Sequence, residues 1–265
     1  MHITVLGSGT SHGVPMIGCH CPVCTSSDPR NRRTRTSAAI RWADPVDPAA
    51  ERTILIDAGP ELRLQAVAAG LDRVDAVFLT HGHADHIMGF DDLRRFPELQ
   101  GTPLPIYASP HTLARVMAAF DYCLTDATQG MYGIPIVRWE TFLAPVELWG
   151  HRVTPVLLAH GVFCAYGIRV DAPDGRSVAW CPDCSAILPE SRRKLEGLDA
   201  LFIDGLRHRP HPTHFTVAEA VEVIQHLRPK QAWLIHMTHD LDHEATERGL
   251  PDGIRLAYDG MSVDL

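Results

Sequence analysis

The stretch FLTHGHADHIMG (78–89) decides the fold. It begins as an apolar run and then places three histidines and one aspartate within six positions, as His81, His83, Asp85 and His86. Side chains alternate along an extended segment, so His81 and His83 can point to the same side. Asp85 and His86 follow and can serve an adjacent position. Imidazole and carboxylate suit Zn²⁺, Mn²⁺ or iron, so the stretch predicts two neighbouring metal sites at the end of a strand.

Three later segments share one pattern, an apolar run that leads into a histidine or an aspartate. VTPVLLAHG leads to His160, RSVAWCPD to Asp183 and QAWLIH to His236. The carboxyl ends of strands in α/β sheets gather at one edge, where sites form. We therefore expect one ion to be bound by His81, His83 and His160, a second by Asp85, His86 and His236, and both by a bridging Asp183.

Such a pair of ions has a defined chemistry. Two metals about 3.5–4 Å apart lower the pKa of a bridging water, generate hydroxide at neutral pH and polarise the group under attack. The sequence therefore predicts metal-assisted hydrolysis, with Asp85 acting in catalysis as well as in metal binding. It contains no P-loop, no G-x-G-x-x-G after a strand and no G-x-S-x-G motif, so nothing in it requires an organic cofactor.

The rest of the chain alternates between apolar, β-rich runs and helical patterns. The clearest helix is TVAEAVEVIQHLRP (216–229), in which Thr216 and Glu219 form a capping-box pair and Pro229 follows the end. Strands mixed with helices predict layered α/β sheets. Because there are no repeats and no linker, we expect a single domain over 1–265. We interpret the loop 126–135 as an ordinary surface loop rather than a lid.

The composition of the chain limits the kinds of partner that we expect it to bind. The 265 residues carry a formal net charge of −8 and are 45% hydrophobic, which is typical of a globular protein but not of one with a broad nucleic-acid-binding face. We therefore expect no extended nucleic acid as a partner. A small anionic substrate stays possible, because the local positive charge of a metal can outweigh the net charge of the chain, and a homodimer stays open. The start MHITVLGSG has no basic region, and no stretch approaches the roughly 18 apolar residues of a membrane helix. These features predict a cytoplasmic protein without a membrane partner.

The H-x-H-x-D-H stretch, TILIDAG (53–59) and the spaced His160, Asp183 and His236 together resemble the metallo-β-lactamase superfamily. The resemblance implies a four-layer αββα sandwich, two mixed sheets flanked by helices, with the metals at one edge. It also implies that Asp57 supports the metal loop without binding an ion. A helix cap at the end of a strand is the other interpretation of Asp57.

The stretch LGSGTSHGVPMIGCHCPVC (6–24) indicates a smaller group of proteins within that superfamily. It is similar to PhnP-type phosphodiesterases of the carbon–phosphorus lyase pathway, and the similarity extends from Gly7 to the terminal YDGMSV. It implies a structural zinc that joins 19–24 to the region near 239 and is bound by Cys19, Cys21, Cys24 and His239. Independently, C-x-C-x-x-C supplies three thiolates, whereas closed zinc sites need four ligands. A disulfide within the cluster is the alternative, which a reducing compartment disfavours.

The segment GLRHRPHPTHFTV (205–217) concentrates basic residues in an acidic protein. By resemblance, His214 contacts the substrate phosphate and protonates the leaving group, and it precedes a helix N-terminus, which favours anions. Arg207, His208 and His211 are weaker candidates for substrate binding, since a solvated loop explains them equally well. We interpret the CPDC motif (181–184) as coincidental, with Cys181 packed at a strand end and Cys184 near the metals. Cys123 and Cys164 are expected to be buried.

These observations predict a phosphodiesterase for small or cyclic esters, such as cyclic ribose phosphates or 2′,3′-cyclic nucleotides. It would use two divalent ions, manganese or zinc with iron as a further option, and one structural zinc. A nuclease that processes tRNA 3′ ends shares the metal loop, but the acidic charge disfavours it. The cysteine cluster also resembles pyrroloquinoline quinone biosynthesis proteins, which suggests a non-catalytic carrier as a third hypothesis. A complete ligand set disfavours that hypothesis, because a carrier has no use for it.

Overall fold

Two mixed β-sheets packed face to face form the centre of the fold. The computed structural model describes residues 1–124, 128, 131 and 133–265. Half of the loop 126–135 lies outside these residues, so its prediction stays untested. The first sheet has the order β15-β1-β2-β3-β4-β5-β6. Its strands are β1 (His2–Gly7), β2 (Ser37–Ala43), β3 (Glu51–Ile56), β4 (Ala76–Phe78), β5 (Leu104–Ala108), β6 (Val137–Thr141) and β15 (Ser262–Asp264).

The second sheet has the order β11-β8-β9-β10-β12-β13-β14, with β7 paired to β8. Its strands are β7 (Val146–Leu148), β8 (His151–His160), β9 (Phe163–Asp171), β10 (Ser177–Cys181), β11 (Ala186–Ile187), β12 (Ala200–Asp204), β13 (Gln231–Ile235) and β14 (Ile254–Leu256). The pairings make β8, β10, β12 and β13 run in one direction. Their carboxyl ends therefore share one edge. In the first sheet, β1, β3 and β4 likewise run in one direction.

Helices cover the outer faces of both sheets. They are α1 (Leu62–Ala68), α2 (Ala84–Ile87), α3 (Arg95–Gln100), α4 (Pro110–Ala119), α5 (Pro189–Arg193), α6 (Val217–Leu227) and α7 (His243–Glu247), with 3₁₀ turns at Pro29–Asn31 and Phe90–Arg94. The capping box predicted for α6 is present, because Thr216 and Glu219 each accept a hydrogen bond from the other's backbone N–H. The longest helix in the described part of the chain has 11 residues, too few to span a bilayer.

The central strands β4, β10 and β12 are buried on both faces, which explains why each of them is an apolar run. The layer between the sheets is filled from both sides by large side chains, including Ile3, Ile40, Ile54, Phe78, Val153, Ile168, Trp180 and Phe202. Separate apolar clusters lie under the helices on each outer face. The predicted sandwich of two mixed sheets flanked by helices is confirmed.

A parallel bridge between Gly9 and Met237 joins the two sheets just beyond β1 and β13. The Met237 N–H donates to the Ser8 carbonyl at 3.0 Å, and the Thr10 N–H donates to the Met237 carbonyl at 3.1 Å. A Cβ at Gly9 would lie 2.7 Å from the Arg33 carbonyl oxygen. Gly9 therefore has no room for a side chain against the segment at Arg33, while its backbone bridge to Met237 joins the two sheets near the predicted metal residues.

Candidate metal centre

The predicted metal loop follows β4 directly. Residues 79–82 belong to no strand or helix, and His83, with extended backbone, occupies the N-cap position of the one-turn helix α2. Asp85 lies in the first turn of that helix and His86 near its end. The loop therefore presents His81 and His83 from the segment before the helix, and Asp85 and His86 from a helical turn. That change of direction divides the four side chains between two positions.

The first position is surrounded by His81, His83, His160 and Asp183, whose ligand atoms all lie within 4.8 Å of one another. His83 Nδ1 is 3.0 Å from His81 Nε2 and 3.2 Å from His160 Nε2. Asp183 Oδ2 lies 3.6 Å from the Nε2 atoms of both His81 and His160. Ligands at 2.0–2.1 Å from a tetrahedral zinc lie about 3.3 Å apart. The four atoms thus have the separations of a tetrahedral site.

The second position is surrounded by Asp85, His86, Asp183 and His236. Asp183 Oδ1 is 3.1 Å from His86 Nε2 and 3.2 Å from His236 Nε2. Asp85 Oδ2 is 3.3 Å and 3.5 Å from the same two nitrogens. Asp183 thus turns one oxygen to each position. This is the arrangement that the sequence predicts for a carboxylate shared by two ions.

The chemistry of these residues fits divalent cations. His86 Nε2, His236 Nε2 and Asp183 Oδ1 are buried and make no hydrogen bond within the described part of the chain. Buried polar atoms that lack hydrogen bonds are costly, and the convergence of these three on one point is explained by a cation. Burial alone would raise the pKa of Asp183, but His236 and His86 outweigh it and hold that pKa well below its usual range. The carboxylate is therefore in the form that binds metal.

The histidines of the two positions differ in protonation. Burial lowers the pKa of His81 well below its ordinary value, so its imidazole is neutral and ready to bind a cation. His86 behaves in the opposite way: burial opposes its charge, yet the carboxylates of Asp183, Asp85 and Asp57 raise its pKa well above the usual value. A divalent cation at the second position would therefore displace a proton from His86.

Asp57 orients the metal loop from below. Its carboxylate accepts hydrogen bonds from the Thr80 N–H and the Thr80 hydroxyl, both at 2.8 Å, and from His86 Nδ1 at 2.6 Å. The residue is completely buried. It does not cap α1, whose N-cap position is Glu61. Asp57 therefore fixes both the start of the loop and the ring of His86, with Nε2 turned to the second position.

His214 lies next to this centre, paired with an aspartate that our sequence reasoning missed. His214 Nδ1 is 2.7 Å from Asp204 Oδ2, and its Nε2 lies 3.9 Å from Asp183 Oδ2. The same Asp204 oxygen accepts the Cys184 N–H at 2.8 Å. Asp204 ends the apolar run ALFIDG (200–205), the strand-to-aspartate pattern that pointed to the other residues. That pattern could have found it.

Three residues of the centre have left-handed backbone. Positive φ occurs at Asp57 (63°), Asp183 (22°) and His236 (59°). This conformation is uncommon for residues other than glycine and clusters at functional sites. All three residues follow the end of a strand, so a left-handed residue turns the chain sharply and aims the side chain across the sheet edge. Packing around the centre must stabilise these conformations.

The cysteine cluster is a separate site. Cys19, Cys21 and Cys24 place their sulfurs 3.2, 3.4 and 3.6 Å from His239 Nδ1, and no disulfide joins the described cysteines. All four ligand atoms lie within 4.8 Å of one another, which suits a closed zinc site. The other ring nitrogen of His239 is 3.8 Å from Asp240 Oδ1. His239 follows His236 by three residues, so the segment after β13 contributes to both sites.

The remaining candidates lie in different places. The ring of His211 is 5.0 Å from that of His214, whereas His208 is exposed and lines a separate groove with Thr246. The structure does not bring His208 to the metals. Arg207 lines a third place, a pocket that it shares with Thr238 and with His239 of the cysteine site.

The sulfurs of the other four cysteines belong to neither set of ligand atoms. Cys181 and Cys184 are buried in the apolar cluster beneath α6. Burial raises the pKa of the Cys181 thiol to about 12. Cys123 is buried as expected. The expectation for Cys164 is wrong, because this residue is exposed near the start of β9, where the hairpin from β8 turns outward.

Residues 52–237 match the family described as the beta-lactamase superfamily domain. Among curated proteins, the octanoyltransferase of Porphyromonas gingivalis is 35% identical over 267 residues, which cover 99% of this chain and 51% of that protein. The chain thus spans about half the length of this relative.

Two solved structures resemble the whole chain. A diphosphatase from the PhnP family has 41% identity and a TM-score of 0.88, with 100% of this chain and 97% of that chain covered. Zn²⁺-bound PqqB from Methylobacterium extorquens has 22% identity and a TM-score of 0.79, with both chains fully covered. At 22% identity the second likeness concerns the fold alone.

Proposed function

Because the chain belongs to the metallo-β-lactamase superfamily as a PhnP-type, metal-dependent hydrolase, we propose that it hydrolyses small or cyclic phosphodiesters. The observation that carries the proposal is the shared carboxylate of Asp183. Each of its oxygens faces a different set of ligand atoms, and the His214–Asp204 pair lies beside it. Paired cations suit in-line displacement at phosphorus, and a neighbouring acid suits an alkoxide leaving group.

We assign one ion to His81, His83 and His160, a second to Asp85, His86 and His236, and the bridge between them to Asp183. When bound, the two divalent cations would lower the pKa of a water between them and withdraw charge from the phosphoryl oxygens. Manganese and zinc, with iron as a further option, suit a set of imidazoles and carboxylates. Asp57 supports this set by keeping His86 Nε2 turned toward the second ion.

The general acid in this proposal is His214. Asp204 accepts the Nδ1–H bond, which leaves Nε2–H of the imidazolium on the side of Asp183. When the bond from phosphorus to the leaving oxygen breaks, its electron pair stays on that oxygen and the oxygen takes the Nε2 proton. The neutral imidazole keeps its Nδ1–H on Asp204, ready for reprotonation at Nε2. Nearly complete burial of His214 keeps water away from this transfer.

We further propose that Cys19, Cys21, Cys24 and His239 hold a zinc that ties the N-terminal loop to the segment after β13. Such a zinc would unite the first and last parts of the chain, so that 1–265 form a single domain. It would also fix the position of His239, which follows His236 by three residues, and would thereby limit the movement of His236 at the second ion.

A direct assay separates this proposal from its alternatives. The protein loaded with manganese or zinc would be given bis-p-nitrophenyl phosphate, a 2′,3′-cyclic nucleotide and a tRNA precursor, with metal content measured in parallel. We expect turnover of the first two and none of the tRNA. Cleavage of the precursor alone would indicate a processing nuclease. A fully metallated sample that hydrolyses none of them would refute the proposal and favour a carrier.

A further inference from the structure

Arg33 is a buried arginine whose side chain contacts the turn that carries His239. Only 1% of the residue is exposed. Its Nη1 donates a hydrogen bond to the Thr238 carbonyl at 2.7 Å, and its Nη2 donates one to the Leu241 carbonyl at 2.7 Å. The Leu241 N–H also donates to the Thr238 carbonyl, at 3.4 Å. The guanidinium therefore stabilises the turn 238–241, within which His239 lies.

The backbone of Arg33 contacts the other half of the cysteine site. Its N–H and its carbonyl both form hydrogen bonds with Val14, each of 2.8 Å. Two residues further along the chain, the Met16 N–H donates to the Cys24 sulfur at 3.3 Å, and the Met16 carbonyl accepts the Cys19 N–H at 3.0 Å. Arg33 thus joins the loop that leads to the three cysteines to the turn that carries the fourth ligand.

Asn31 supports the same contact. Its Oδ1 accepts a hydrogen bond from Arg33 Nη2 at 3.2 Å and another from the His243 N–H at 2.9 Å. Its Nδ2 donates to Asp242 Oδ2 at 2.8 Å, and the residue is buried. These bonds hold the side chain of Arg33 in one orientation, in which its donors are directed at the two carbonyls of the turn.

The geometry of these acceptors suits a guanidinium. Burial lowers the pKa of Arg33 to about 10, and the charges of three aspartates offset this effect only in part. The side chain is therefore a cation at neutral pH, and a buried cation is costly unless its donors are bonded. A guanidinium presents its donors in a rigid planar fork, whereas a lysine ammonium is a compact charge on a flexible stem. The fork can reach two carbonyls and an amide oxygen at the same time.

We propose that Arg33 is a positioning residue for the cysteine site, which holds the turn 238–241 against the cysteine loop so that the four ligand atoms are in place before zinc binds. The inference rests on the proposed structural zinc, and it assigns part of the zinc affinity to a residue outside the ligand set. Cys19 and His239 are 220 positions apart in the chain. Without Arg33, the ion would itself have to order two separate segments, and the cost of that ordering would weaken binding.

The test measures the binding of Co²⁺ to the full chain after its metal has been removed with a chelator. Among the proposed sites, only the one with thiolate ligands gives sulfur-to-cobalt charge-transfer absorption, so this signal reports the cysteine site alone. Titration with Co²⁺ gives the cobalt affinity, and displacement by Zn²⁺ then gives the zinc affinity. We expect Arg33→Lys to weaken zinc binding at this site by about 10–100-fold. Asn31→Ala, which leaves Arg33 in place, should weaken it by about fivefold, the effect of one lost hydrogen bond.

Arg169→Lys is the matched control. Arg169 Nη1 also donates to two backbone carbonyls, those of Lys194 and Glu196, at 2.7 Å and 2.9 Å. It belongs to β9 and contacts neither segment of the cysteine site through these bonds. This variant should lower the free energy of unfolding but leave the zinc affinity unchanged within about twofold.

Equal zinc affinity in the wild type and in Arg33→Lys would overturn the inference. An equal loss in Arg169→Lys would also overturn it, because the effect would then be one of general stability. If Arg33→Lys does not fold, Asn31→Ala decides, and an unchanged zinc affinity in that variant would count against the inference. A wild-type protein without charge-transfer absorption would instead refute the proposed zinc itself. The hydrolysis of phosphodiesters does not enter this readout, so its failure would leave the result for Arg33 unaffected.

Discussion

Replacement of Asp204 by asparagine tests the proposed proton transfer directly. The buried Asp204 Oδ2 accepts bonds from both His214 Nδ1, at 2.7 Å, and the Cys184 N–H, at 2.8 Å. An amide oxygen in the same place can accept both bonds. Asp204→Asn therefore removes the negative charge and places an NH2 group at the position of the buried Oδ1, which has no hydrogen-bond partner among the described residues. We expect a less stable protein that still folds, in which the stabilisation of the His214 imidazolium is weaker.

The size of the effect follows from the bond that changes. A neutral hydrogen bond contributes about 1 kcal/mol, and a charge-assisted one about 1.5–3 kcal/mol. The difference of roughly 0.5–2 kcal/mol corresponds to a fall in kcat of about 2–30-fold, with tenfold as the central value. This loss should appear only where the leaving oxygen needs a proton.

The assay varies the leaving group and keeps the rest of the substrate constant. Thymidine 5′-(methyl phosphate) releases a strongly basic alkoxide, whereas thymidine 5′-(4-nitrophenyl phosphate) releases a phenolate that is stable near pH 7. Asp204→Asn should lower kcat by about tenfold for the methyl ester and by less than about twofold for the nitrophenyl ester. An equal loss for both esters would refute the acid role of His214. A loss of metal would instead show that Asp204 supports metal binding, since one of its carboxylate oxygens lies within 4.8 Å of a ring nitrogen of His236.

Three further predictions concern the metals and their supports. Asp183→Ala should lower the metal content from about three ions per chain to about one, because both catalytic positions lose a ligand while the cysteine site stays intact. Plasma mass spectrometry measures this content. Retention of all ions would contradict a carboxylate shared by two ions. Asp57→Asn should weaken one ion about 10–100-fold in a chelator titration, since His86 loses its charged partner, and an unchanged affinity would argue against this support. After the metal is removed with a chelator, the rate of alkylation of Cys21 should rise as the pH passes through about 6. The Cys24 N–H donates a hydrogen bond to the Cys21 sulfur and lowers the pKa of the Cys21 thiol to about 6. Burial raises the pKa of the Cys24 thiol to about 11, so Cys24 should react at higher pH. Mass spectrometry of each cysteine against pH checks this order, and faster labelling of Cys24 at pH 7 would reverse it.

The sequence predicted the layered fold well, because its signals were local. Apolar runs marked the strands, and the pairing of Thr216 with Glu219 marked the start of α6 before the structure showed it. The metal loop is likewise a local pattern, because its four chemically distinctive residues lie within six positions. The family prediction is confirmed by the match over residues 52–237.

Other parts of the site depend on packing that a sequence does not display. The role of Asp204 arises only because β12 brings it beside His214, ten residues later. The left-handed backbone of Asp57, Asp183 and His236 contradicts local preference, which favours glycine there, and only the surrounding packing explains it. The exposure of Cys164 likewise follows from the outward turn of a hairpin, which no periodicity in the sequence indicates.

The division of ligands between the two sheets has a consequence for how the molecule holds together. Residues 81–86 follow a strand of the first sheet, whereas His160, Asp183 and His236 lie at or after the ends of strands in the second. Each ion would therefore bind ligands from both sheets and link the two sheets to one another. The temperature of thermal unfolding should then rise with the concentration of free metal. When that concentration is a hundred times the dissociation constant, the free energy of unfolding should increase by about 2.7 kcal/mol. A proteolytic fragment that contains only one sheet would have too few ligands to retain an ion, so loss of metal should accompany the first separation of the sheets.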